Sequence, residues 1–265
     1  EPGEAAAERL LQAFVEDALL AYDEDRDHMA EVGTSRLSPY LAMGSMSPHR
    51  IFEAVTGAVA DGTWPRAWPY VRQLIWREFA YHTLVHHPHL PDEPLRPEFA
   101  RYPWSNDEAA LRAWQRGRTG YPIVDAGMRE LWSSGWMHNR VRLITGSFLT
   151  KDLRIDWRAG EAWFWDTLID ADLANNALGW QWVAGTGIDS SPYFRIFNPT
   201  TQARKFDPQG SYVRTWLPEL ARLPDRWLHD PTAAPPDIRT EAGMTPDETY
   251  PHPLVDHARA RKRAL

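Results

Sequence analysis

Residues 170–182, which read DADLANNALGWQW, hold more side chains able to do chemistry than any other stretch of this chain. Two carboxylates, two asparagines and two tryptophans fall within a few helical turns. A packed core has little use for this mixture, because each buried carboxylate or amide needs a hydrogen-bond partner. The segment therefore indicates a site for a large, partly polar aromatic ligand.

A second candidate site lies at residues 34–38, which read TSRLS and run directly into Pro39. The pattern predicts a helix with Ser38 as its N-cap and Pro39 at its first position. The unpaired N–H groups and the dipole at such a start favour an anion, and Arg36 adds a positive charge. The segment is either a phosphate-binding turn or only a capped helix.

Arg140 and Arg142 form a third candidate, on a helix predicted over residues 137–150. Buried arginine is nearly always paired, so a structural salt bridge is the simpler interpretation. Asp152 is the candidate partner of Arg142, provided that the chain bends back at the end of that helix. In the functional alternative, the fixed guanidinium stabilises negative charge that develops on an aromatic ring.

Two further patterns do not predict sites. His82 and His86 stand at helical spacing, but Thr83 occupies the position at which a zinc-protease helix carries glutamate. The glycines of residues 185–187 follow no strand pattern and lack the third glycine of a dinucleotide-binding turn. We therefore expect surface histidines and no metal site.

The composition is that of a soluble globular protein, since the 265 residues are 43% hydrophobic and 25% charged. The net charge of -7 argues against binding nucleic acid by bulk charge, although 29 lysines and arginines can still form a local basic groove. Cysteine is absent, which excludes disulfides and thiolate metal sites. With no apolar run long enough for a bilayer and no signal peptide, we expect a cytoplasmic protein.

Helical periodicity recurs along the chain, whereas alternating strand patterns are nearly absent. The sequence therefore predicts an all-α fold. One helical domain is expected over residues 1–220, with a proline-rich segment and a basic helix, residues 221–265, packed on it. From Pro192 onward the chain is predicted to be rich in loops. Helices are expected at residues 5–21, 48–59, 68–85, 108–115, 122–133, 137–150, 162–173 and 255–265.

Seven segments in this order resemble the FAD-binding C-terminal domain of the photolyase/cryptochrome family, and within it the class I CPD (deoxyribodipyrimidine) photolyases. They are TSRLSPYLAMG (34–44), LIWREF (74–79), GRTGYPIVDAGMREL (117–131), GWMHNRVR (135–142), FLTKDLRIDWR (148–158), LIDADLANNALGWQW (168–182) and PYFRIFNPTTQARKFD (192–207). The resemblance covers the chain up to about residue 220. The family's amino-terminal α/β domain, which can hold an antenna chromophore, is not in this sequence, and residues 1–3 look like an interdomain linker.

The resemblance implies that this domain holds a U-shaped FAD, active in its reduced anionic form. Residues 34–38 would bind the pyrophosphate, and Asn176 would face flavin N5. Arg142, paired with Asp152, would lie near the flavin ring. Asp170 and Asp172 would bind the polar edge of the flavin and the adenine–ribose side. The implied cofactor-binding residues are Tyr22, Thr34, Ser35, Arg36, Leu37, Ser38, Arg77, Asn139, Arg142, Asp152, Asp170, Asp172 and Asn176.

The resemblance further implies a lyase that repairs cyclobutane pyrimidine dimers in double-stranded DNA under light and acts as a monomer. The lesion would be flipped out of the duplex into a cavity beside FAD, where tryptophan can stack on unpaired bases. The implied DNA-binding residues are Arg26, Gln73, Trp76, Arg77, Asn139, Arg140, Leu143, Trp182 and Gln202.

Three of the 14 tryptophans match the family's electron chain. Trp180 would lie nearest the flavin, Trp157 in the middle and Trp104 at the surface. Core packing is the alternative for each of them taken singly. Together with Asn176 and Gln73, they form the implied catalytic set.

The sequence departs from the CPD pattern at Gln73, where CPD photolyases usually have a glutamate that hydrogen-bonds the dimer. Glutamine is common at this position in (6-4) photolyases and animal cryptochromes. The (6-4) enzymes, however, carry two histidines where this chain has His138 and Asn139. CPD repair is therefore the expectation, with a cryptochrome-like blue-light sensor and a (6-4) photolyase as alternatives.

Overall fold

α-Helices build the part of the chain that the structure describes. The structure is a computed structural model that describes residues 1–188, 195–245 and 248–265. Within those ranges there is no β-strand, and an isolated bridge joins Ser105 to Ile155. The predicted all-α fold is confirmed. In the same ranges, no helix has both the length and the hydrophobicity that crossing a membrane requires.

The helices follow one another closely along the chain. In chain order they are α1 (Glu4–Asp17), α2 (Tyr22–Asp25), α3 (Ser38–Ala42), α4 (Pro48–Ala58), α5 (Trp64–His86), α6 (Glu108–Gln115), α7 (Pro122–Ser134), α8 (Asn139–Ser147), α9 (Trp157–Thr167), α10 (Leu173–Ala184), α11 (Pro199–Phe206), α12 (Ser211–Trp216), α13 (Asp225–Leu228), α14 (Pro236–Glu241) and α15 (His257–Ala264).

Two clusters of buried apolar side chains organise these helices. The first cluster joins α1, α4 and the first half of α5, and contains Leu11, Ile51 and Val71. The second, larger cluster is built on α7, α8 and α10, and Leu223 and Tyr250 pack into it as well. Side chains that line the candidate site come from both clusters, so the site lies in the cleft between them.

The predicted helix over residues 162–173 is wrong, because the chain breaks there. α9 ends at Thr167, and Asp172 is extended (φ -140°, ψ 121°) before α10 begins at Leu173. The Asp172 carboxylate accepts a hydrogen bond from the Asn175 N–H at 2.9 Å, which makes Asp172 the N-cap of α10. Asp170 and Asp172 therefore lie on the turn before a helix rather than on a helix face.

The helix predicted over residues 137–150 is shorter than expected. His138 caps α8 through its Nδ1, which accepts from the Arg140 N–H at 3.2 Å, and the helix ends at Ser147. A π-helical turn then carries Phe148–Asp152. The wider turn changes the angle at which the side chains after Ser147 leave the helix axis.

The region that was predicted to be rich in loops is more helical than expected, from residue 195 onward. Pro192 itself lies outside the described residues. Pro199 and Pro236 occupy the first positions of α11 and α14. Proline is favoured there because the first N–H groups of a helix have no partner within it. These prolines therefore mark helix starts rather than loops.

Two buried carboxylates of α7 tie this helix to distant parts of the chain. Asp125 accepts from the Tyr250 hydroxyl at 2.5 Å. Glu130 accepts from the Tyr212 hydroxyl at 2.5 Å and from the His138 N–H at 3.2 Å. Burial raises the pKa of both carboxyls. Because His138 is the N-cap of α8, the contact with Glu130 fixes the start of the helix that borders the site.

Candidate functional site

A cavity of about 320 Å³, here the main cavity, opens in the cleft between the two clusters. Its walls are the turn of residues 34–38 with α3, the middle of α5, and residues 136–142 with the turn before α10. The lining residues are Tyr22, Arg26, Thr34, Ser35, Arg36, Leu37, Ser38, Leu41, Ala42, Tyr70, Gln73, Leu74, Arg77, Trp136, Met137, Asn139, Arg142, Asp170, Asp172 and Asn175. It thus brings together all predicted cofactor-binding residues except Asp152 and Asn176.

A second cavity of about 260 Å³ adjoins the main cavity. The residues that line both cavities are Asn139, Arg142, Asp170, Asp172 and Asn175. Asn176, Leu143 and Trp180 line the second cavity alone. The two cavities therefore share a wall, and the Asp170–Asp172 turn lies in it.

The turn of residues 34–38 is held in an unusual backbone conformation. Arg36 has a φ of 52°, in the left-handed region that non-glycine residues rarely adopt. The Tyr70 hydroxyl donates to Ser35 Oγ at 3.0 Å. α3 begins at Ser38, and its N-cap position is held by Leu37, which already has helical backbone angles. The predicted N-cap is therefore wrong, and Ser38 lines the main cavity instead.

Arg142 pairs with Asp170, and not with Asp152 as the sequence predicted. Its Nη1 and Nη2 donate to the two carboxylate oxygens of Asp170 at 3.1 and 2.8 Å. Its Nε donates to the Met137 carbonyl at 2.8 Å. The ion pair is therefore bidentate. Its carboxylate is nearly buried, since the Asp170 side chain is 2% exposed. These bonds fix the guanidinium where the two cavities meet.

Asp152 is buried elsewhere, against α15. Its Oδ1 lies 2.6 Å from His257 Nδ1, and it lines neither cavity. Burial raises the pKa of Asp152, and the contact with His257 opposes that shift. The π-helical turn directs this carboxylate to the last helix, so the structure assigns Asp152 to the docking of α15 and not to the cofactor site.

Trp136 is a wall of the main cavity that the sequence did not assign to the site. The Arg36 guanidinium lies 4.4 Å from the centroid of its ring, and the Arg142 guanidinium lies 6.0 Å from it. Cation–π attraction of this kind ties the indole to both guanidinium groups. One sequence feature could have identified Trp136 as a site residue. It lies in the segment GWMHNRVR, three residues before Asn139, which was assigned to the site.

Tyr81, on α5, forms a hydrogen bond with Asp172. The sequence did not identify Tyr81 as a site residue. The Tyr81 hydroxyl donates to Asp172 Oδ2, while Oδ1 accepts from the N–H and the Nδ2 of Asn175 at 2.9 and 2.7 Å. The Arg77 guanidinium lies 4.8 Å from the centroid of the Tyr81 ring. No sequence pattern marks Tyr81, because its partner is 91 residues away.

Asn176 is held by α9. Its Nδ2 donates to the Glu161 carbonyl at 3.0 Å and to Glu161 Oε1 at 2.9 Å. Burial raises the pKa of Glu161, while the Asn176 hydrogen bond lowers it. Asn176 is thus fixed on the wall of the second cavity, and Asn175 is the asparagine that borders the main cavity.

The predicted DNA-binding residues divide into two groups. Arg26, Gln73, Arg77 and Asn139 line the main cavity, and Leu143 lines the second cavity. These five side chains can meet a ligand that enters the cleft.

The other predicted DNA-binding residues line neither cavity. Trp76 is 57% exposed on α5. Arg140 forms a bidentate pair with Asp27, one bond of which measures 3.1 Å. Trp182 is half-buried on α10, and the buried Oε1 of Gln202 on α11 has no hydrogen-bond partner among the described residues. Their contact with DNA stays a prediction.

The three tryptophans of the predicted electron chain lie on adjoining segments. Trp180 lines the second cavity and is 3% exposed, Trp157 begins α9 and is 1% exposed, and Trp104 is half-buried. The Ser105 N–H donates to the Arg154 carbonyl at 2.6 Å, which joins the Trp104 segment to the start of α9. This placement suits the predicted chain, and it suits core packing as well.

The two patterns that the sequence did not assign to sites are surface and capping features. His82 and His86 are exposed, and His86 Nδ1 lies 2.8 Å from the His82 carbonyl. Gly185 has a φ of 79° and ends α10 in the left-handed conformation that glycine adopts readily.

Residues 70–265 match the family model described as the FAD binding domain of DNA photolyase. The chain belongs to the photolyase/cryptochrome family. It is 51% identical to the deoxyribodipyrimidine photo-lyase of Agrobacterium fabrum, over 100% of this chain and 55% of that protein. It is 41% identical to Cryptochrome-1 of Arabidopsis thaliana, over 98% of this chain and 40% of that protein.

Solved structures of the family have the same fold. A bacterial class III photolyase from Agrobacterium tumefaciens matches with a TM-score of 0.94 at 50% identity, over 100% of this chain and 55% of that one. The chain thus spans about half the length of the relatives it matches.

The donor set of the main cavity fits the FAD that the family description names. The hydroxyls and N–H groups of residues 34–38, together with Arg36, suit an anionic pyrophosphate. Asp170 and Asp172 offer acceptors for the N–H groups of a flavin or a ribose hydroxyl. The cavity also lies within the roughly 300–1,000 Å³ that ligand pockets usually span.

Proposed function

We propose that this chain is the FAD-binding and lesion-binding part of a CPD photolyase, a lyase that repairs pyrimidine dimers in DNA under light. The main cavity is the observation that carries the proposal. The turn of residues 34–38, the Arg142–Asp170 pair, Asn139 and Gln73 all face this one space. Because the chain spans about half the length of its relatives, the activity is proposed for the whole protein.

The cavity walls would divide the work of holding FAD. The turn of residues 34–38 would bind the pyrophosphate, and Arg36 would add a fixed charge. Arg142, oriented by Asp170, would stabilise negative charge on the flavin in a site with little water, which favours the reduced anionic form. Reduced FAD, when bound, supplies the light-excited electron that splits the dimer and is then returned.

The polar residues of the main cavity would receive the lesion after it is flipped out of the duplex. Gln73 and Asn139 can both donate and accept hydrogen bonds, but neither can supply a proton. The exposed Trp76 offers an indole face, and stacking of a base on such a face is worth roughly 1–3 kcal/mol. Flipping a dimer costs less than flipping normal bases, because a dimer is already poorly paired.

A repair assay on the full-length protein tests the proposal. The protein is loaded with FAD, reduced chemically and illuminated with blue or near-UV light in the presence of a thymine-dimer oligonucleotide. Intact thymines should return in the light and not in a matched dark sample. A flavin spectrum verifies loading, so absence of repair from a fully reduced, loaded sample would contradict the proposal.

A blue-light sensor is the second candidate, since Cryptochrome-1 of Arabidopsis thaliana is similar over nearly the whole chain. A sensor would bind FAD and respond to light without restoring thymines. A (6-4) photolyase would restore the (6-4) photoproduct and leave the cyclobutane dimer unchanged. Asn139 at the histidine position of those enzymes favours CPD repair.

The finer assignments stay predictions. Class I membership comes from the sequence motifs, and the similarity to a class III structure makes class III the competing assignment. The monomeric state, the cytoplasmic location and any antenna chromophore are likewise predictions. Gel filtration of the full-length protein with lesion DNA would test the monomer.

A further inference from the structure

Tyr81 joins two walls of the main cavity. Its hydroxyl, on α5, donates to Asp172 Oδ2 at the N-cap of α10. Arg77, also on α5, donates from Nη2 to the Tyr81 hydroxyl at 3.3 Å and to the Leu41 carbonyl of α3 at 3.4 Å. These contacts form a strap that runs from α3 across α5 to α10.

Asp172 depends on this strap for its orientation. Its Oδ1 is committed to Asn175 as the cap of α10, and its Oδ2 is the oxygen that Tyr81 holds. Asp172 lines both cavities, whereas Tyr81 lines neither and is 38% exposed. Tyr81 therefore acts on the cleft through Asp172 and not by touching a ligand there.

We infer that Tyr81 is a positioning residue that retains FAD in the cleft by fixing Asp172 and the start of α10 against α5. The inference rests on the proposed function in that FAD is the ligand. Without the phenol, Asp172 Oδ2 loses its donor and the two walls can part, which opens a path for release. The association rate of FAD is set by its diffusional encounter with the cleft and should change little. The effect of the substitution therefore falls on the dissociation rate of FAD.

Tyr81→Phe removes the hydroxyl and keeps the ring. FAD release is followed by the change in the flavin signal as an excess of a flavin-scavenging apoprotein captures the released cofactor, so that rebinding is prevented. Release should become roughly tenfold faster, as expected for the loss of one hydrogen bond to a charged group, while the association rate stays within about twofold. Tyr102→Phe is the matched control, because Tyr102 lies beside Trp104 and lines neither cavity.

A pH profile separates positioning from a merely structural contribution. Burial and the bond to Asp172 raise the pKa of Tyr81, which also faces Arg77 and Glu78 of its own helix. Ionised Tyr81 would repel Asp172, so release from the wild-type protein should accelerate at alkaline pH, above the pH at which an ordinary tyrosine, with a pKa of about 10, ionises. The Tyr81→Phe protein should lack this step.

Three results would overturn the inference. They are a release rate for Tyr81→Phe within about twofold of the wild type, the same pH profile in both proteins, and a lower melting temperature of the FAD-free variant that accounts for the faster release. A wild-type protein that binds no FAD would instead refute the proposed function, and this result is distinct from normal binding with unchanged release.

Discussion

Asp170→Asn is expected to lower the free energy of unfolding by about 2 kcal/mol. The Asp170 carboxylate accepts both Arg142 bonds and is 2% exposed, so an amide there leaves one Arg142 N–H without an acceptor. Breaking one partner of a fully buried pair costs about 3–5 kcal/mol. Arg142 is 23% exposed and keeps its bond to the Met137 carbonyl, which reduces the cost.

Urea unfolding of the FAD-free protein, followed by circular dichroism, measures this loss. Glu108→Gln is the matched control, because it makes the same change of carboxylate to amide in an exposed pair. The side chains of Glu108 and Arg112 are 79% and 58% exposed, and such pairs contribute about 0.5 kcal/mol or less. In thermal unfolding, a loss of 2 kcal/mol corresponds to a shift of roughly 4–8 °C for a chain of this size.

A double-mutant cycle decides which carboxylate pairs with Arg142. Arg142→Met combined with Asp170→Asn should show a coupling energy of about 1–2 kcal/mol. Arg142→Met combined with Asp152→Asn should be additive within about 0.5 kcal/mol, because Asp152 pairs with His257. Coupling of Arg142 to Asp152, or a cost of Asp170→Asn no larger than that of Glu108→Gln, would refute the reasoning.

Four further changes have defined outcomes. Tyr250→Phe should cost about 1–3 kcal/mol in urea unfolding, because it removes the hydroxyl that donates to the buried Asp125, and a cost below about 0.5 kcal/mol would contradict this. Burial lowers the pKa of Lys151 to about 8, so the unfolded chain binds more protons between about pH 8 and 10.5 and stability should rise with pH in that window. Lys151→Met should remove this rise of stability with pH. The same rise in the variant would contradict its assignment to Lys151. Trp157→Phe should slow light-driven reduction of oxidised FAD but spare repair by protein reduced beforehand, and normal photoreduction in transient absorption would exclude Trp157 from the electron chain. Asn139→Ala should weaken lesion-DNA binding, measured by fluorescence anisotropy, more than FAD binding, and equal losses would point to misfolding.

The sequence best predicted the part of the candidate site that is built from consecutive residues. The hydroxyls and arginine of residues 34–38 are contiguous in the chain, and they line the main cavity together. The partner of Arg142 was missed because it is 28 residues away and depends on how α8 packs against the turn before α10. The sequence offered Asp152, which is nearer in the chain, but the π-helical turn directs it to α15. Long-range pairing of this kind follows from packing and not from spacing.

The break between α9 and α10 was missed because apolar spacing continues through it. Phe164, Leu168 and Ala171 extend the helical pattern past Thr167, where α9 ends. The side chain of Asp172 competes with that pattern, because a carboxylate can bond the backbone N–H groups ahead of it and start a new helix. A local capping preference therefore outweighs periodicity at this point.

The polarity of residues 170–182 follows from their place at the border of the second cluster, where it faces the cleft. Inside the second cluster, buried polar groups such as Asp125 and Glu130 are satisfied by tyrosines of the same protein. Asp170 instead takes Arg142 as its partner within one wall of the cleft, whereas Asp172 takes its partner, Tyr81, from α5 on the opposite wall. Two apolar walls would pack directly against each other, whereas the bond between Tyr81 and Asp172 joins the walls beside an open space. A ligand that touches both walls then stabilises the docked arrangement, so binding and the packing of the two clusters are thermodynamically linked.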